Sequence, residues 1–245
     1  MKLAIVGQDT LAATARQCCA KHFTVLDHTD KNIEVLWVCY DTPLDDRGEP
    51  DCEWVRARMR RDIFELRSRP VILISSQMPV GTCAKFEAEF PGHTFACSPE
   101  NIRVAHAVDD FLNQSRVVVG MRSRGHQFLF EELFFPFTKR VIFTDPETAE
   151  MVKHALNCFL ALQICYINEI GCICREVRAD VTALSDALLS ERRISPKAPL
   201  RAGEPFGGGH LMRDILTLEE IARGRAISIP LIAHIRESNG DKNHE

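Results

Sequence analysis

Residues 2–7 read Lys-Leu-Ala-Ile-Val-Gly, and the chain runs on through Gln8-Asp9-Thr10 into a helix-compatible stretch at 10–21 and a second apolar run at 23–26. A short apolar run that ends on glycine, a helical stretch and a return to an apolar run make a β-α-β opening. Further apolar runs at 35–39, 71–74 and 117–119, with 141–143 as one more and a helical stretch at 53–66 between two of them, continue the alternation expected of a parallel sheet. After Thr144 the pattern becomes a long helical register to about residue 178, with Thr144 as its expected N-cap, Pro146 in its first turn and Glu147 and Glu150 at its positive end. A helix near 181–190 and a last one at about 216–237 flank a glycine-rich turn at 205–214. The expected fold is α/β: a Rossmann-like domain over 1–144, an all-helical domain over 145–239 and a disordered tail at 240–245.

Composition narrows the possible roles. The 245 residues are 45% apolar and 26% charged with a net charge of -4, which gives core enough for one large or two small domains and no basic field to hold nucleic acid. The first apolar run is too short for a signal sequence and no later run is read as a membrane span, so a cytoplasmic protein with no membrane partner is expected. Ten cysteines lie between Cys18 and Cys174 in spacings that match no usual zinc site. They are read as reduced thiols, with Cys158, Cys165 and Cys172 on one helical stripe, and no metal is expected.

A dinucleotide-binding turn needs glycine where the first strand meets its helix, because backbone and helix N-terminus must approach the pyrophosphate. Here Gly7 fills the first position and Ala12 is an accepted residue at the last, while Asp9 replaces the middle glycine and brings a negative charge towards the phosphates. Asp27 ends the second apolar run, where a carboxylate accepts the ribose hydroxyls of NAD and repels the 2′-phosphate of NADP. NAD is therefore the expected cofactor. The alternative is that Gly7 only makes a tight turn and Asp27 only caps the next element.

Downstream, Lys153 and Asn157 stand four apart on the long helix, so both project from one face, where an ammonium and an amide could stabilise an alkoxide as hydride leaves. At 205–214 the chain reads Pro-Phe-Gly-Gly-Gly-His-Leu-Met-Arg-Asp, delivering His210 four residues before Asp214.

That stretch resembles the catalytic loop of the UDP-glucose/GDP-mannose dehydrogenase family, usually Gly-Phe-Gly-Gly-Ser-Cys-Phe-Pro-Lys-Asp. Other blocks follow in the same order. Cys-Tyr-Asp-Thr-Pro-Leu-Asp-Asp-Arg-Gly-Glu at 39–49 is similar to the family's Val-Gly-Thr-Pro-Leu-Asp-Glu-Asp-Gly, and Ser-Ser-Gln-Met-Pro-Val-Gly at 75–81 to its Lys-Ser-Thr-Val-Pro-Pro-Gly. Ser-Pro-Glu-Asn-Ile-Arg at 98–103, Tyr-Ile-Asn-Glu-Ile at 166–170 and Arg-Ile-Ser-Pro-Lys at 193–197 resemble further family segments.

The resemblance implies an NAD-dependent oxidoreductase of polysaccharide biosynthesis that acts on a nucleotide sugar. It implies cofactor contacts from Gly7, Asp27, Thr42, Pro43 and Gln77, and substrate contacts from Arg193, Phe206, Gly207 and Gly208. Catalytic roles fall to Glu100, Lys153, Asn157, His210 and Asp214, with a homodimer through the helical domain. Full-length members continue into a C-terminal nucleotide-binding domain that this sequence is expected to lack.

Departures bear on the chemistry. The family's nucleophilic cysteine is His210, a second site glutamate is Val104, and Gln77 and Asp9 replace a threonine and a glycine. Cysteine attacks the aldehyde of the first oxidation and carries it to a thioester; histidine does not readily do so. His210 is either a general base for a single alcohol oxidation or a packed residue without chemistry. Three functions follow: a dehydrogenase that performs one oxidation, a catalytically silent nucleotide-binding regulator (a pseudoenzyme), or a partner subunit of a full-length dehydrogenase.

Overall fold

The computed structural model describes residues 1–43, 50–100, 102–207 and 209–240. The first of two compact units, 1–153, holds β1 (Lys2–Val6), α1 (Thr10–Cys19), β2 (Thr24–Val25), β3 (Val35–Val38), α2 (Cys52–Glu65), β4 (Val71–Ile74), α3 (Thr82–Glu89), β5 (Thr94–Cys97), α4 (Ala107–Leu112), β6 (Val117–Met121), α5 (Gln127–Phe134) and β7 (Val141–Thr144). Helix α6 (Pro146–Val177) begins there and continues into the second unit, 154–245, with α7 (Val181–Leu189), α8 (Gly209–Arg223) and α9 (Pro230–Gly240).

The seven strands form one sheet in the order β2-β1-β3-β4-β5-β6-β7. Alternate residues feed opposite faces, which is why the strands read as unbroken apolar runs. Leu3, Ile5, Val35, Trp37, Val71, Leu73, Val117 and Val119 pack with α1, α4 and α5. Ala4, Val6, Leu36, Val38, Ile72, Ile74 and Phe95 pack with α2, α3 and the first turns of α6. Two glycines are demanded by close approach. Gly7 has φ +135°, and a Cβ there would collide with the Cys39 carbonyl oxygen and the Ala12 side chain. Gly120 on β6 lets α6 lie on the sheet, since a Cβ would sit 2.6 Å from Pro146 Cα and 2.7 Å from Ala149 Cβ.

Five sequence expectations need correction. The strand at Thr94–Cys97 is missing from the sequence reading because Thr-Phe-Ala-Cys carries no aliphatic β-branched residue. β6 pairs with β5 antiparallel, so the sheet is not uniformly parallel; that neighbour needs no crossover helix, and a turn and the six-residue α4 connect the two strands.

The N-cap of α6 is Asp145 rather than Thr144, its carboxylate accepting from the Thr148 amide and hydroxyl, both at 2.8 Å. The single helix expected at 216–237 is two. Ala226, at φ 54°, ends α8 in a Schellman turn in which Ile227 N donates to Ala222 O and Ala226 N to Arg223 O, and Pro230 then opens α9. Finally, α6 is long and apolar enough by length and composition to cross a membrane, with mean hydropathy 1.4 in its richest window. Buried Lys153, His154, Asn157 and Asn168 along it are what a core helix of a polar site carries.

Candidate functional site

In the first unit the carboxyl ends of the parallel strands β1, β3, β4 and β5 lie on one edge of the sheet, and the first-half residues singled out from sequence gather there. Asp9 caps α1, its Oδ1 accepting from Ala12 N at 3.2 Å and its Oδ2 from Asp41 N. Arg16 braces the turn by donating to Ile5 O at 3.0 Å and Gly7 O at 2.5 Å. Thr42 and Gln77 meet, with Thr42 Oγ1 donating to the Gln77 carbonyl at 2.6 Å. Pro43 accepts from Asp51 N at 2.8 Å, and the segment 44–49 of the same block lies outside the described residues. Asp27 is exposed and accepts from the Thr29 hydroxyl at 2.6 Å and amide at 2.9 Å, bonds that hold its carboxyl below the ordinary value. It is therefore an ionised acceptor at neutral pH, as a ribose contact requires. Gly7, Ala12, Asp27 and Thr42 fit a dinucleotide; the Asp9 carboxylate stands on the amides where its pyrophosphate belongs.

At the end of β5, Glu100 Oε2 accepts from Ile102 N at 2.7 Å and Oε1 lies 3.6 Å from Lys153 Nζ. Both groups are largely shielded from solvent, which leaves their attraction less screened than a surface pair's. Beside them Trp37 Nε1 donates to Ser75 Oγ at 2.8 Å, and Ser75 Oγ donates to Ser98 O at 2.6 Å. These serines, Trp37, Glu100 and Gln114 line a cavity of about 20 Å³, room for one water. Glu150, read from sequence as a helix-dipole charge, is buried and accepts from Gly81 N at 2.6 Å and Cys83 N at 2.8 Å, capping α3 from α6. Elsewhere His28, Asp62 and Glu65 offer ligand atoms within 4.8 Å of one another. Asp62 already pairs with Tyr40 at 2.5 Å and Arg61 at 3.0 Å, and the guanidinium meets the charge a cation would.

In the second unit the centre is Asp214, fully buried in the second turn of α8. Its Oδ1 lies 2.6 Å from His154 Nδ1 and its Oδ2 2.5 Å from Asn157 Nδ2. A carboxylate facing Nδ1 requires the proton on that nitrogen, so Asp214 sets the His154 tautomer. His154 was missed from sequence because it sits beside Lys153; the available signal was that His154 and Asn157 are three apart and so share a helix face.

His210 lies within α8 rather than in a turn, is exposed, and places Nδ1 3.0 Å from Arg213 Nη2. In this arrangement the guanidinium donates to Nδ1, and Nε2 carries the proton of the neutral ring. Phe206 is half-buried against Cys158, Ala161 and Ile215, and Asn239 clamps its backbone at both N (2.9 Å) and O (3.1 Å). Gly207 is exposed; Gly208 lies outside the described residues. Asn168 accepts from Gly203 N at 2.9 Å, and Glu169 from Ser238 at 2.6 Å, so the Asn-Glu pair of α6 tethers the loop and α9. Arg193 is 87% exposed beside Glu191 at 3.1 Å, reaching outward.

Residues 3–138 match the NAD binding domain, and residues 147–241 the central domain, of the UDP-glucose/GDP-mannose dehydrogenase family. The chain is 34% identical over 213 residues to the UDP-glucose 6-dehydrogenase TuaD of Bacillus subtilis, covering 84% of this chain and 46% of that protein. It is 30% identical over 219 residues to the UDP-glucose 6-dehydrogenase of Rickettsia bellii, covering 86% and 50%. The chain thus spans about half the length of these relatives. Among solved structures, a UDP-glucose dehydrogenase from Pyrobaculum islandicum superposes with TM-score 0.83 at 19% identity, over 97% of this chain and 67% of that one. The GDP-mannose dehydrogenase of Pseudomonas aeruginosa, in a ternary complex, superposes with TM-score 0.69 at 19% identity, over 98% and 68%.

Proposed function

We propose that this chain, which belongs to the UDP-glucose/GDP-mannose dehydrogenase family, is a cytoplasmic enzyme that catalyses one NAD-dependent oxidation of a nucleotide-sugar hydroxyl and stops at the carbonyl. The observation that carries this is the shielded pair of Glu100, in the NAD-binding-domain match, with Lys153, at the start of the central-domain match. NAD, when bound, accepts the hydride from the carbinol carbon. Lys153 stabilises the oxygen as its negative charge develops, and Glu100 accepts the hydroxyl proton. Asn157 and Asp214 are polar groups already ordered before substrate arrives, and Arg193 and the backbone around Phe206 and Gly207 supply contacts to the sugar nucleotide. Nothing in this set replaces the family's cysteine, because His210 offers no thiolate to carry the aldehyde to a thioester.

Calorimetric titration of NAD, followed by NADH assays against UDP- and GDP-sugars, tests the reading. Saturable binding and one NADH per sugar consumed are expected. No NADH from any such sugar removes the enzyme reading, and two NADH per sugar removes the single oxidation. Binding without turnover selects the second reading, a silent nucleotide-binding relative, which the departures at Asp9, Gln77, Val104 and His210 together favour.

The helical unit is proposed to form a homodimer. On α6 the apolar residues Phe159, Tyr166 and Ile173, spaced by seven, are 55%, 47% and 58% exposed, and Val177 extends the stripe at 66%. A heptad-spaced apolar stripe on a long helix wants a partner surface. Light scattering on the same sample should give twice the chain mass; a monomer at micromolar concentration contradicts it.

A further inference from the structure

We propose that the Asp9 carboxylate is a resident anion that latches the dinucleotide crevice shut, so that the cofactor enters only when this side chain leaves the first turn of α1. The inference rests on the NAD reading above. In an open α/β sheet the ligand crevice lies outside the carboxyl ends of neighbouring strands from which the chain departs in opposite directions. Here those strands are β1, which leads through α1 to β2 on one side, and β3, which leads away towards β4 on the other. Asp9 follows β1 and Asp41 follows β3. The Asp9 carboxylate spans them, one oxygen on the Ala12 amide in the first turn of α1 and the other on the Asp41 amide.

Its effect is thus more than the bulk of a side chain where a glycine would leave open backbone. It consumes an amide of the helix N-terminus and a loop amide across the crevice, and it neutralises the positive helix end that favours a pyrophosphate. The turn itself is held independently of Asp9. Gly7 is packed against Cys39 and Ala12, and Arg16 grips the Ile5 and Gly7 carbonyls from below. Asp41 adds a second carboxylate to the same mouth, its Oδ1 accepting from Thr42 N at 3.0 Å. A pyrophosphate must therefore displace one carboxylate and pass close to another. Removal of Asp9 leaves the cradle standing, and glycine is itself an accepted N-cap.

Calorimetric titration of NAD into the full chain and into the Asp9→Gly and Asp9→Asn variants reads this directly, with circular dichroism melts to confirm that each folds. Both variants should bind NAD at least about tenfold more tightly than the parent, since each removes a negative charge from the phosphate position. Variants that bind no more tightly overturn the latch. Equal, measurable affinity in all three leaves the NAD reading standing and removes the latch. Binding by the variants alone upholds the latch and removes the NAD-dependent activity of the parent. Binding by none removes both.

Discussion

Replacing Asp214 with alanine is expected to cost about 3–5 kcal/mol of stability in the helical unit, because it strips a fully buried acceptor from two buried donors at once. His154 is 2% and Asn157 7% exposed, so neither recovers its bond from solvent. Asp214→Asn should be milder, about 1–2 kcal/mol, though it presents one acceptor and one donor where the carboxylate presents two acceptors. The imidazole can meet the new amide donor by moving its proton off Nδ1, so the pair is re-formed with reversed polarity. Urea unfolding followed by helical circular dichroism checks both. An alanine variant within 1 kcal/mol of the parent would show that the Asp214 network is not what holds α8 to α6.

The second large effect concerns chemistry. On the proposed reaction, Lys153→Met is expected to lower kcat by about 10²–10³-fold, the usual consequence of removing one preorganised charge from a developing oxyanion. Methionine keeps much of the apolar stem, so packing in the first turns of α6 is little disturbed. NAD affinity should stay within a factor of about two, since the ammonium acts on the substrate oxygen rather than on the cofactor. A variant that loses NAD binding along with turnover would instead make Lys153 a structural partner of Glu100. One that keeps full turnover would take the oxyanion role away from it.

Much of this was legible in the sequence, for physical reasons that differ along the chain. Strands buried on both faces must be apolar at nearly every position, so β1, β3, β4 and β6 announce themselves as runs, and the half-buried β7 at the end of the sheet reads the same way. β5 does not, because its packing comes from one phenylalanine and two small residues between a turn and Ser-Pro. The break between α8 and α9 hid for a related reason. A Schellman turn usually carries glycine at the left-handed position, and here Gly224 sits two residues early while Ala226 takes that conformation. Asn157 and the Gly-rich stretch before α8 pointed to the polar centre around Asp214, whereas Lys153, four residues from Asn157, pairs with Glu100 instead, and the internal pairing of that centre lay beyond reach. Which donor finds Asp214 depends on how α8 packs on α6, and a sequence lists His154 and His210 as equals. One proves buried against a carboxylate and the other exposed against a guanidinium. Asp9 was legible as a charge in the wrong place. That it bonds across to Asp41 was not, since the two are 32 residues apart.

All ten cysteines are thiols, and most are buried: Cys18, Cys19, Cys39, Cys83 and Cys97 in the sheet unit, Cys158, Cys165 and Cys174 in the helical one. Burial pushes up the pKa of Cys39, Cys158 and Cys165, and takes Cys19 to about 12. The reactive thiolate is thus scarce until the surrounding structure opens. Each unit therefore carries its own internal clock. The rate at which a thiol reagent labels each cysteine, read by mass spectrometry, gives the opening frequency of the sheet core and of the helical core separately, with no engineered probe.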